Sequence, residues 1–135
     1  MIIIDTNVVS EMMRGRPDPG VLAWVNTAGR LHTTAVTLAE VEYGIARLPV
    51  GHRKDRLAEI AEGLFDDFRD VILSFDASAA HSYASIAARR EKSGRPIAAA
   101  DAQIAAICAS REATLATRNI ADFECTGVTV INPWG

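Results

Sequence analysis

Met1-Ile2-Ile3-Ile4-Asp5-Thr6-Asn7 is the stretch that decides the fold. Three consecutive β-branched isoleucines make a short, continuous apolar run. That is the pattern of a central strand covered on both faces, as in a parallel sheet. The run stops at a carboxylate. In open α/β sheets, ligands and chemistry gather beyond the carboxyl ends of the strands. Asp5 is therefore a candidate site residue from its position alone.

Beyond this strand the chain alternates. Residues 8–13 have helical character until Gly15-Arg16-Pro17-Asp18-Pro19-Gly20 breaks it. A short helix is expected over 21–26 and a strand near 31–36. Thr37 opens a helix to about Leu48, with Leu38, Val41, Ile45 and Leu48 on one face. A second helix over 53–68 carries Leu57, Ile60, Leu64 and Phe68 on one face, and the two read as a helical hairpin fit for a partner. Residues 71–75 form a buried-type strand. Asp76 can cap a helix over 77–92. Pro96 suits the first turn of the next helix, which runs to about Arg111. Strands over 114–117 and 128–131 close the chain. The prediction is one α/β domain over 1–135, a central, mostly parallel sheet flanked by helices on both faces. Right-handed crossovers bring the strand tips to one edge, so residues after Ile4, Val36 and Thr117 can meet.

Several acids stand where a carboxylate needs explaining. Asp101 shares a narrow helical arc with Ile97, Ile104 and Cys108, among Ala98, Ala99, Ala100, Ala102, Ala105 and Ala106, with no cation within a turn. An unpaired buried charge costs several kcal/mol, so a metal, a remote arginine or a raised pKa must compensate. The bland alternative is that the turn at Pro96 leaves Asp101 solvated at a rim. Glu40 completes Thr37-Leu38-Ala39-Glu40, a capping-box pattern, yet it also stands in the first turn after a strand tip; periodicity leaves capping and site roles open. Glu42 is its neighbour nearer the buried stripe. Asn119 and Asp122 follow the fourth strand, where turn and cap roles are common.

Acids gathered at one edge repel. Two carboxylates ~5 Å apart at an effective dielectric of ~20 cost roughly 3 kcal/mol. Hard divalent cations remove that penalty and prefer oxygen ligands. Such clusters suit phosphodiester hydrolysis, in which the cation polarises phosphate and lowers the pKa of an attacking water. No histidine is needed, and the three present (His32, His52, His81) are scattered.

The totals agree. The chain has 135 residues, 49% hydrophobic and 23% charged, with net charge −3. A binder of nucleic acid by overall field is usually basic, so any attraction here must be local or cation-mediated. No window approaches the ~20 apolar residues of a membrane span. Met1 leads straight into the strand with no basic region ahead of it, which predicts no signal peptide and a cytoplasmic setting. Cys108 and Cys125 follow no metal-ligand spacing and read as ordinary thiols, Cys108 in a helix core.

With these residues in place the chain resembles the PIN-domain ribonucleases, in particular VapC-type toxins and their FitB-like branch. The resemblance rests on Ile3-Ile4-Asp5-Thr6-Asn7-Val8-Val9-Ser10-Glu11, on Thr37-Leu38-Ala39-Glu40-Val41-Glu42-Tyr43-Gly44 and on residues 96–106 around Asp101. It closes with Leu115-Ala116-Thr117-Arg118-Asn119 and Ile131-Asn132-Pro133-Trp134. It spans essentially the whole chain.

It implies a PIN-like fold and a toxin that hydrolyses RNA with Mg²⁺ or Mn²⁺. Asp5 and Asp101 look like the principal metal-binding aspartates, with Glu40 as the acid after the second strand. The family commonly has a fourth acid after the fourth strand. Asn119 stands there instead, and Asp122, a turn later, is placed to supply the missing charge. Thr6 and Thr117 look like hydroxyls that orient ligands or waters. The implied partners are a VapB/FitA-like antitoxin, operator DNA reached only through that antitoxin, and a second copy in a homodimer or larger assembly. Antitoxin contact is expected on the 53–68 helix and its neighbour, and RNA contact at Arg14, Arg16, Arg95 and Arg118. Two other classes fit worse. A signalling receiver needs an acidic pair after the first strand and a lysine after the last, and a D-x-D phosphatase needs an acid where Asn7 stands. The remaining alternative is a catalytically weak PIN domain that acts mainly as a binding module.

Overall fold

The computed structural model describes residues 1–68 and 71–135. Five strands, β1 (Ile2–Ile4), β2 (Leu31–Thr34), β3 (Ile72–Leu73), β4 (Thr114–Ala116) and β5 (Val130–Ile131), form one sheet in the order β3-β2-β1-β4-β5. Every pairing is parallel. β1 is central, with Ile2 opposite both Leu31 and Thr114.

Side chains alternate across a strand, and the isoleucine run divides accordingly. Ile3 and Leu115 face one core with Ile86 of α5 (Ala77–Lys92) and Ile104, Ile107 and Cys108 of α6 (Ala99–Ser110). Ile4 and Ala116 face the other core. There they meet Val8 and Val9 of α1 (Thr6–Met12), Val21 of α2 (Pro19–Thr27), Val41 and Ile45 of α3 (Ala35–Ala46), and Ala61 and Phe65 of α4 (His52–Asp67). Ile3 and Ile4 are both fully buried. A strand between two helical layers has no solvent face, which is why its sequence does not alternate. Burial pushes the Cys108 thiol up to about 12, as suits an inert core side chain. Among the described residues, no helix is long and apolar enough to cross a membrane.

Several boundaries differ from the sequence reading. Of the strand expected over 71–75 only Ile72–Leu73 pairs, half-buried at the sheet edge, with Ser74 and Phe75 exposed. Of 128–131 only Val130–Ile131 is strand, and α2 starts at Pro19, which a first helical turn tolerates. Two further differences bear on the site. β2 ends at Thr34, whose hydroxyl accepts the Thr37 N–H (3.0 Å) and caps α3. The helix therefore starts two residues before Thr37, and the Thr37–Glu40 pattern is not a capping box. Thr34 lies three residues before an N–H it can reach, so it wins the cap. α6 starts at Ala99, not at Pro96. Arg90 Nε donates to the Arg95 carbonyl (2.6 Å) and Ala98 stays extended, which keeps the segment out of the helix.

α5 ends in a Schellman motif. The Arg95 N–H reaches the Arg90 carbonyl (3.0 Å), and Gly94 takes φ +75°, a conformation that suits a residue without Cβ. Asp76 caps the start of this helix through Ala79 N–H (2.9 Å), as its sequence position predicts.

Candidate active site

In the strand order, the neighbours of β1 lie on opposite sides, β2 on one and β4 on the other, so the connections diverge there. Ligands bind at such switch points. Asp5 follows β1, and its N–H is tied to the Ala116 carbonyl (2.9 Å); Thr117 follows β4 and is tied to Ile131 (2.9 Å). A cleft of about 480 Å³ opens above these tips. Asp5, Glu40, Asp101 and Asn119 all line it, with Thr6, Asn7, Glu11 and Arg118. Chain positions as distant as 5 and 119 therefore meet at one sheet edge. Among the described residues, no histidine borders the cleft.

Asp5 is 4% exposed and firmly held. Its Oδ1 accepts the Thr6 N–H (2.8 Å), which caps α1, and its Oδ2 accepts the Thr117 hydroxyl (2.7 Å). Burial raises its pKa above the ordinary carboxylate value; the Thr117 and Thr6 donors oppose this, and the charges of Glu40 and Asp122 add to it. The Thr117 hydroxyl is saturated. It gives its one proton to Asp5 and accepts from Asn7 Nδ2 (3.0 Å) and the Asn119 N–H (3.1 Å). Asn7 also accepts the Arg118 N–H (3.3 Å), so its side chain laces α1 to the tip of β4.

Glu40 is exposed, and Thr6 Oγ1 donates to its Oε1 (2.7 Å). The hydroxyls of Thr6 and Thr37 lie 3.1 Å apart, and those of Thr37 and Thr34 lie 3.4 Å apart. Three threonines thus run from the cap of α3 to this acid. Glu42 is exposed and does not border the cleft.

Asp101 stands in the first turn of α6. It is partly buried, and no hydrogen bond fastens its carboxylate among the described residues. Its pKa is pushed up to about 6, first by burial, then by the charges of Asp5, Asp122 and Glu40, with only Arg90 opposing. Asp101 is neither a fully solvated rim residue nor a paired one. Asp122 lies in the 3-10 turn Ile120–Phe123, exposed and outside the cleft lining, yet close enough for its charge to raise both Asp5 and Asp101. Asn119 lines the cleft, and among the described residues its carboxamide makes no hydrogen bond.

The carboxylates of Asp5, Glu40 and Asp101, which line the cleft, are oxygen donors of the kind a hard divalent ion takes. Among the described residues, no three Asp, Glu, His or Cys side chains stand close enough to hold an ion by themselves.

Asn7, Glu11 and Arg90 are the residues that sequence reasoning missed. Glu11 is 5% exposed and is held by Arg14 (3.1 Å) and the Asp18 N–H (3.1 Å). Its three-residue spacing to Arg14 was the available signal. Arg90 is also 5% exposed, and it donates from Nη1 to the carbonyls of Asp122 (2.7 Å) and Glu124 (2.9 Å). It pins the turn that carries Asp122 to the end of α5. Nothing local in the sequence announces a bond across more than thirty residues.

The PIN domain family matches residues 2–124. The chain is 38% identical to the VapC ribonuclease Y4jK of Sinorhizobium fredii over 99% of this chain and 98% of that protein. It is 38% identical to Toxin FitB of Neisseria gonorrhoeae, over 99% of each. A solved structure of FitAB bound to an IR36 DNA fragment superposes with a TM-score of 0.92 at 38% identity, covering 100% of this chain and 96% of that one.

Proposed function

The chain belongs to the PIN-domain family, and on that footing we propose that it is the toxin of a type II toxin–antitoxin pair, an endoribonuclease that hydrolyses RNA phosphodiester bonds with Mg²⁺ or Mn²⁺. The observation that carries this reading is the cleft itself. Asp5, Glu40 and Asp101 converge at the switch point of the sheet, each bringing oxygen donors, and the carboxyl of Asp101 is pushed up to about 6. Their mutual charge leaves the cleft wanting a cation. Asp5 and Asp101 are the two principal ligands. Glu40 would assist, and Asn119 or Asp122 would complete the set. When bound, such an ion supplies Lewis acidity toward the phosphate and a lowered pKa for the attacking water.

The residues of the chain do the rest. Thr117 and the Thr6 N–H fix both oxygens of Asp5, so its lone pairs point in set directions. Thr6 fixes Glu40 in the same way. Donors that hold a ligand are worth roughly 10- to 100-fold in affinity or activity.

The partner is an antitoxin of the kind that accompanies FitB and VapC, with operator DNA reached through it; the similar FitAB was solved bound to an IR36 DNA fragment. A groove of about 460 Å³ between α1, α3 and α4 fits its contact. Met13, Val41, Ile45, Leu48 and Leu57 contribute apolar walls, and the groove runs into the cleft at Thr6, Ser10 and Glu40. A homodimer or larger toxin–antitoxin assembly in the cytoplasm completes the reading.

One observation favours the weaker alternative of a binding module: Asn119 brings no charge and Asp122 lies outside the cleft lining. The deciding experiment is cleavage of total RNA by purified, antitoxin-free protein with Mg²⁺, Mn²⁺ or EDTA, with Asp5→Asn alongside. Cleavage that needs both the cation and Asp5 is the expected result. No cleavage by folded wild type with either cation would leave the binding module.

A further inference from the structure

Of the four arginines assigned to RNA from sequence, two are engaged. Arg14 Nη1 donates to both carboxylate oxygens of Glu11 (3.2 and 3.1 Å), and Arg95 pairs with Glu124. Arg16 is exposed and does not border the cleft. Arg118 differs from all three. It lines the same cleft as Asp5, Glu11, Glu40 and Asp101, yet among the described residues its guanidinium makes no ion pair and no hydrogen bond. It lies instead over the Trp134 ring, 5.3 Å from the centroid.

An arginine beside several carboxylates is drawn toward them unless something holds it elsewhere. Here the ring does. Trp134 is itself fixed, because its backbone N–H donates to Asn132 Oδ1 (3.0 Å), Pro133 before it is buried, and its side chain packs on the core that contains Ile4 and Ala116. At the other end, Asn7 Oδ1 holds the Arg118 N–H. Backbone and side chain are thus both placed, and the guanidinium edge stays free at the mouth of the cleft. A guanidinium stacked on an indole keeps its in-plane N–H fork available, and that fork matches two phosphate oxygens.

We propose that Arg118, held by Trp134, binds an RNA phosphate neighbouring the one that is cut, with Trp134 as the positioning residue. The proposal rests on the nuclease reading above and deepens it by naming where the substrate strand is gripped. It also accounts for how an acidic cleft in a chain of net charge −3 meets a polyanion: one cation is withheld from the internal carboxylates and offered outward.

The test is steady-state cleavage of an RNA that wild type cuts, read as separate kcat and KM. Arg118→Ala and Trp134→Ala should each raise KM by about 10-fold or more, the range for a charge-assisted hydrogen bond, and leave kcat within about two-fold. Trp134→Phe keeps a ring and should recover most of the loss, while Arg118→Lys, lacking the fork, should recover only part. Arg47→Ala is the control. It removes the same charge from a similar stack, on Tyr43 of α3 (5.6 Å), away from the cleft, and should change neither constant. A second readout needs no turnover. In a Trp24→Phe, Asp101→Asn background Trp134 is the sole tryptophan, and its emission should shift as a short RNA is titrated in with Mg²⁺. Should Trp134→Ala fail to fold, Trp134→Phe and Arg118→Ala still decide. Wild type that cleaves while Arg118→Ala keeps its KM would overturn this proposal alone. Folded wild type that cuts no RNA would overturn the nuclease reading, and this proposal with it.

Discussion

Asp5 and Asp101 line the same cleft from different elements, the tip of β1 and the first turn of α6, and they are held in opposite ways. Asp5 is the more buried, yet each of its oxygens has a donor. Asp101 has more access to water and no donor, and its carboxyl is pushed up to about 6. One acid is placed by bonds, whereas the other is placed only by the helix that carries it. A ligand held by bonds keeps its geometry with or without a cation. A ligand that is merely confined is a charge waiting for a counter-charge. The first acid sets direction, and the second supplies the demand for an ion.

The sharpest way to break this contrast is to neutralise each acid in turn. Asp5→Asn and Asp101→Asn should both reduce RNA cleavage by at least about 100-fold, as expected when a metal ligand or oriented electrostatic group is lost. Their stabilities should part. Asp101→Asn removes an uncompensated charge and should raise the Tm of cation-free protein at pH 7, whereas Asp5→Asn disrupts two donors and should not. Equal Tm changes in thermal melts would dissolve the distinction.

Next in size is Thr117→Val. It strips a saturated hydroxyl and leaves Asn7 and the Asn119 N–H without their acceptor. Denaturant titration should show a loss of about 1–3 kcal/mol, and cleavage should fall roughly 10- to 100-fold. Thr117→Ser should stay near wild type.

On the Asp101 side, Arg90→Met keeps bulk but frees the carbonyls of Asp122 and Glu124. A loss of about 1–3 kcal/mol is expected, with faster amide exchange in residues 120–124, while the Asp5 side keeps its protection.

The smallest effect is that of pH. The folded state holds the Asp101 proton more tightly than an unfolded chain does, with a pKa of about 6 against 3.8. This group therefore adds stability as pH falls from about 7 toward 4, and that contribution is lost as pH rises through 6. The Tm of cation-free protein should rise over that descent by more than in Asp101→Asn. Mg²⁺ should bind progressively less well below pH about 6.

How far this contrast could be read from sequence follows its two halves. The isoleucine run declared a doubly covered strand, and Asp5 after it marked the edge. Asp101 betrayed itself by sitting among alanines on a helical arc with Ile104 and Cys108. Both signals are local and periodic. The bonds that distinguish the two acids are not. Thr117 reaches Asp5 across 112 positions and Asn7 across 110, and no pattern of neighbours encodes such a pairing. Glu40 was ambiguous because it both completed a Thr37–Glu40 capping pattern and stood in the first turn after a strand tip, whereas the structure gives the cap to Thr34. Only the end of β2 decides which threonine caps the helix. Arg90 reads as one more surface charge in Ala88-Arg89-Arg90-Glu91-Lys92 until the chain folds over it.

The line of threonines beneath Glu40 has a property that distances alone do not express. A hydroxyl owns a single proton. Thr6 spends its own on Glu40, so Thr37 must point toward Thr6, and Thr34 toward Thr37. The row therefore has one sense, with every O–H dipole aimed at a single carboxylate oxygen. It begins on the oxygen whose lone pair receives the Thr37 N–H and starts α3. Hydrogen bonds aligned head to tail reinforce one another. Oxygen positions thus record an order of protons, and the first turn of a helix bears the imprint of a negative charge at the far end of the row.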